Sequence, residues 1–167
     1  DYAIARIDPA LIKGDTPYTD FFERICDQLA VTMAQWASVG FIHSKLDTHL
    51  TAIDGGMSLN PYSGFRDNHD PDRIRHPLDS TGRYAFSAQP IAAHWNLGRL
   101  ANVLRPLTRP EGKGSGNRIQ ARLDDFFNRY EQHRISCLQR PAVERTRGKP
   151  EHREDMESLN AVCIPRP

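Results

Sequence analysis

Four histidines, His43, His49, His69 and His76, fall in one stretch that also carries Asp47 and Asp54. Imidazole and carboxylate together are the side chains of metal sites and of general acid–base chemistry. Their spacing does not favour zinc. No two of the histidines stand four apart, as they would on one helix face, or in a His-x-His pair. As isolated residues, Asp47 and Asp54 read as solvated loop carboxylates. A second candidate, Lys113 between Gly112 and Gly114-Ser115-Gly116, lacks the glycine-lysine-hydroxyl order of a phosphate loop and follows no strand, so it reads as a linker. Cys26, Cys137 and Cys163 are odd in number and far apart, which speaks against a disulfide framework and points to a reducing compartment.

The bulk properties narrow the classes. The chain has 167 residues and a formal net charge of +1, enough for one domain or a large lobe and without the basic field of a nucleic-acid binder. No apolar run reaches the ~18 residues of a membrane span, and residues 1–6 do not form a signal peptide. Position 1 is Asp1 and not Met, so the sequence is read as a piece of a longer chain.

Three helices must position the loop residues. The first is expected near 20–38, with Asp20 and Glu23 as a capping box, Phe22, Ile25, Cys26, Leu29, Met33 and Trp36 as the apolar stripe, and Gly40 as the stop. The second is expected near 90–105. Pro90 opens it, Ala93, Leu97, Leu100, Ala101 and Leu104 line one face, and Pro106 and Pro110 end it. Residues 111–117 read as a flexible linker. A third helix is expected over 118–137 with Ile119, Leu123, Phe126, Phe127 and Tyr130 inward. Trp36 and Trp95 are both read as packing residues. Between the first two helices, residues 41–82 are rich in turn formers and read as a long loop with short strands. From Gln139 on, eleven of twenty-nine residues are charged and the apolar period is gone, so 139–167, with its basic run at Arg145, Arg147 and Lys149, reads as a disordered tail. The fold class is mainly α.

Two strings carry a family resemblance. Residues 34–43, Ala-Gln-Trp-Ala-Ser-Val-Gly-Phe-Ile-His, resemble the helix end that precedes the catalytic loop of selenoprotein O-type (SelO-type) pseudokinases. Residues 82–90, Gly-Arg-Tyr-Ala-Phe-Ser-Ala-Gln-Pro, with Trp95-Asn96-Leu97 and Arg99-Leu100-Ala101, are similar to a later segment of the same family, and Asp70-Pro71 matches as well. The resemblance is close over 1–105 and loose over 118–138. It implies that 1–138 is a segment of the C-terminal lobe of a kinase-like fold, with 43–65 as the catalytic-loop region. It also implies an ATP- and magnesium-dependent nucleotidyltransferase that moves AMP onto protein hydroxyls, with proteins as partners and no nucleic acid or membrane. The implied location is cytoplasmic if bacterial and mitochondrial if eukaryotic. The family's nucleotide-binding Lys, Glu and Arg belong to an N-terminal region outside this sequence.

Laid on the family without a gap, the base position is His49, and the two metal-ligand positions are Leu50 and Leu59. Thr48, Ile53, Gly55, Gly64 and Phe65 match. Magnesium takes hard oxygen ligands, and leucine has none. The expectation is therefore a family member that lacks the base and metal residues, with Asp47 and Asp54 as weak substitutes. The alternative is a non-catalytic all-α remnant or partner-binding module.

Overall fold

A computed structural model describes residues 2–48, 61–68, 70–112 and 114–140. Five α-helices and one two-stranded ladder make up the described part: α1 (Tyr2–Ile7), α2 (Pro17–Val39), β1 (Phe41–Ile42), β2 (Gly64–Phe65), α3 (Gln89–Thr108), α4 (Ser115–Asp124) and α5 (Phe126–Gln139). The mainly α expectation holds.

Helix α2 is the mast around which the others pack. Phe22, Ile25, Cys26, Leu29, Met33 and Trp36 recur at helical spacing, and all are buried. Ala93, Leu97, Ala101 and Leu104 of α3, Ile119 of α4 and Phe126 of α5 close the same core. Each large side chain removed from water there contributes about 1.5–3 kcal/mol.

The start of α2 differs from expectation. The helix begins at Pro17, three residues before Asp20, and no capping box forms. Glu111, in the 3-10 turn Arg109–Glu111 that follows α3, does the capping instead. Its carboxylate accepts the backbone N–H of Tyr18 at 2.6 Å, the N–H of Thr19 at 3.3 Å and the Thr19 hydroxyl at 2.6 Å. A carboxylate at a helix N-terminus satisfies orphan donors and complements the helix dipole. Asp20 and Glu23 instead bind the Arg118 guanidinium of α4, at 2.8 and 3.0 Å. The other end is as expected. Gly40 adopts φ 74° and its N–H reaches the Trp36 carbonyl.

Helix α3 runs through Pro106 and does not stop there. Proline removes only the bond to the carbonyl of Asn102, an exposed residue whose carbonyl water can serve. Residues 111–117 are not a free linker, since Glu111 is bound to α2 and the buried Ser115 already opens α4. The expected third helix is two, α4 and α5, divided at Asp125, where ψ opens to −5°. That break leaves Phe127 40% exposed, so it is not an inward residue. Asp27 of α2 ties both together through Arg122 at 3.1 Å and Arg129 at 2.8 Å. The tail expected over 139–167 lies outside the described residues except for Gln139 and Arg140.

Candidate functional site

The two motif strings meet in space. Helix α2 delivers Trp36, the chain reverses at Gly40, and β1 leads into His43. The His43 ring is buried and stacked on Trp36, with centroids 5.5 Å apart and planes 12° apart. Phe41 pairs with Phe65 and Ile42 with Gly64 in antiparallel register, so the two ends of the segment between them are joined at its base.

Side chains of the second string hold the leading side of that region. Gln89, itself buried, accepts the His43 N–H at 2.8 Å through Oε1. Its Nε2 donates to the Phe41 carbonyl at 3.0 Å. Asn96 Nδ2 donates to the Leu46 carbonyl at 3.3 Å, and the Ser63 hydroxyl donates to the His43 carbonyl at 2.6 Å. Ser44, between them, sits at φ 72°, a left-handed conformation that costs a non-glycine residue about 1–2 kcal/mol. Strain of this kind persists where its surroundings over-determine it.

The returning side is held by arginines. Arg75 donates from Nε to the Tyr62 carbonyl at 2.8 Å and from Nη1 to the Phe65 carbonyl at 3.1 Å. Gly64 lies under that guanidinium so closely that a Cβ would come within 2.9 Å of Nη2. Arg66 stacks on Phe86 at 3.9 Å, and its N–H reaches the Gly40 carbonyl at 2.9 Å. Asp79 shapes the approach to the second string by accepting the N–H groups of Arg83 at 3.0 Å and Tyr84 at 2.8 Å.

Most of the residues singled out from sequence are not among those described. His49, Leu50, Asp54, Leu59 and His69 all lie outside the described residues. Asp47 is paired with Lys45 at 3.5 Å. His76 accepts the Leu78 N–H at 3.2 Å and packs edge-on against Tyr62, so it and His43 serve turns and packing. Among the described residues no three His, Cys, Asp or Glu side chains are grouped to hold a metal ion. Sequence reasoning missed Gln89, Asn96, Ser63 and Arg75 as the positioning groups. The available signal was a pair of amides, Gln89 and Asn96, set among apolar neighbours of one helix.

Trp95 also departs from expectation. It is 41% exposed, with Arg83 at 4.6 Å and Arg99 at 4.5 Å from its ring.

A family model described as protein adenylyltransferase SelO matches residues 1–154. The chain belongs to the SelO family. That family match runs past residue 138, beyond the strings that carried the resemblance. Among SelO relatives, the protein nucleotidyltransferase YdiU of Nitrobacter winogradskyi is 41% identical over 131 residues, covering 77% of this chain and 26% of that protein. YdiU of Xanthomonas euvesicatoria is 37% identical over 166 residues, 97% of this chain and 30% of that protein. The chain thus spans less than a third of the length of these SelO relatives, which are bacterial nucleotidyltransferases. No helix among the described residues is long and apolar enough to cross a membrane.

Proposed function

We propose that this chain is a helical C-lobe segment of the kinase-like SelO fold, with the scaffold of the catalytic loop retained and its chemistry lost. Family membership carries the wider activity, transfer of AMP from ATP to protein hydroxyls, for a whole SelO polypeptide. In this chain the segment neither binds ATP–magnesium nor transfers AMP, and it acts as a non-catalytic module.

One observation carries this reading. Residues 41–42 are paired with 64–65, and Gln89, Asn96 and Ser63 hold the residues that follow the first string. Laid on the family without a gap, the base position falls on His49 and the ligand positions on Leu50 and Leu59. An imidazole still accepts a proton near neutral pH. Nucleotidyl transfer also needs the phosphate charge stabilised, and two leucines supply nothing toward that.

The test joins this chain to a SelO N-terminal half and measures magnesium-dependent ATP binding by calorimetry. The unrepaired fusion should show no binding. His49→Asp, Leu50→Asn and Leu59→Asp together should restore it, and single changes should not, because residues of one site act as a unit. Equal binding by the unrepaired fusion overturns the reading and makes Asp47 and Asp54 the leading ligands. Transfer of labelled AMP to any protein by the chain itself, above a control without it, also overturns it.

A further inference from the structure

Helix α3 is apolar on two faces. One row, Gln89, Ala93, Leu97 and Ala101, is buried against the core. A second row on the outer side is Ile91, Trp95, Arg99, Val103 and Leu107, each four residues from the last. Its apolar members are exposed: Ile91 63%, Trp95 41%, Val103 68% and Leu107 44%. Rows of residues four apart form the ridge that seats in the groove of another helix. A helix with a second apolar row beside its buried one has surface to offer to another element.

Charge adds a second observation. Arg83 and Arg99 flank the Trp95 ring, both are exposed, and neither has an ion-pair partner among the described residues. Five arginines, Arg24, Arg118, Arg122, Arg129 and Arg134, are paired with carboxylates, and Arg83 and Arg99 are the pair that share one exposed indole. A guanidinium stacked on an indole keeps its N–H edge free for an acidic group. The ridge is therefore apolar along its length with two anion-seeking groups at its middle.

We propose that this outer ridge of α3 is the seat of further SelO polypeptide, an apolar segment carrying carboxylates opposite Arg83 and Arg99. The supply of such polypeptide is the family's own length, of which this chain spans only 26–30% in the relatives described above. The inference rests on family membership and on α3, not on the catalytic loop. Loss of the metal site and absence of docking therefore fail separately.

Cysteine alkylation reads the seat directly. Cys26 and Cys137 are buried. In a Cys163→Ser background, Val103→Cys and, as a reference on α5, Ile135→Cys are placed in the 167-residue chain and in its fusion to the remaining length of the Xanthomonas YdiU. Expected is a slowing of about tenfold or more at Val103→Cys on fusion, with Ile135→Cys unchanged. Arg83→Glu with Arg99→Glu should return the faster rate. Labelling of Val103→Cys that is equally fast in the fusion overturns the proposal, as does equal slowing at both sites. Slow labelling in the chain alone that grows with concentration assigns the ridge to a second copy and also overturns it. If the fusion does not fold, cysteine at the matching position of full-length Xanthomonas YdiU decides: protection supports the seat, and free labelling removes it.

Discussion

Gln89 is one side chain with two tasks, since it supplies an acceptor to His43 and a donor to the Phe41 carbonyl. Removing it leaves two buried backbone groups unsatisfied, at about 1–3 kcal/mol each. Gln89→Ala should lower stability by about 2–4 kcal/mol on that account, measured by urea denaturation. Gln89→Glu keeps the acceptor and loses the donor, so it tells the two bonds apart. Cys26 offers a second test. Burial pushes its thiol up to about 12, with Arg122 opposing and Asp27 adding to the shift. The thiolate is the reactive species, so Cys26 should resist alkylation at pH 8 until the chain is unfolded. The sign for stability follows. A folded thiol held above its ordinary value of 9.0 contributes fully below about that pH, and the contribution drains away as pH rises toward 12. Denaturant midpoints measured between pH 8 and 11 should fall, and Cys26→Ala should flatten part of that fall.

Elements were legible where local pattern decides them. The apolar period of α2 and the stop at Gly40 follow from side-chain spacing and from glycine's tolerance of positive φ. Gly40→Ala should cost about 1–2 kcal/mol for the left-handed backbone. A Cβ there would also come within 3.0 Å of Arg66 Cγ, so thermal melting should drop by several degrees. What was not legible was set by distant partners. The true start of α2 depends on a carboxylate after α3, the passage of α3 through Pro106 on which side of the helix meets water, and the break at Asp125 on how Phe126 enters the core. The site divides in the same way. The candidate positions His49, Leu50 and Leu59 lie outside the described residues, and the clasp by Gln89 and Asn96 required knowing that residues 41–47 and 89–96 touch.

At the scale of the molecule, α2 touches each of the other described α-helices, by apolar burial on one side and by carboxylates on the other. The ion pairs of Asp20, Glu23 and Asp27 with Arg118, Arg122 and Arg129 are half-buried at the surface and contribute little singly. The Glu111 bonds differ, because they reach buried Thr19 from 92 residues along the chain. That separation gives the molecule a timetable. During synthesis at about 5–20 residues per second, α2 emerges and waits on the order of 5–20 s before its cap exists. Through that interval its first turn has Pro17 and the local Thr16–Asp20 bonds, but no acceptor for the N–H groups of Tyr18 and Thr19. Chains stopped at residue 108 should exchange the amide hydrogens of Tyr18 and Thr19 quickly. Chains extended through Glu111 should protect them, and Glu111→Ala in the 167-residue chain should behave like the stopped one. For those seconds the beginning of the longest helix is unfinished work, completed only when a residue made much later arrives to hold it.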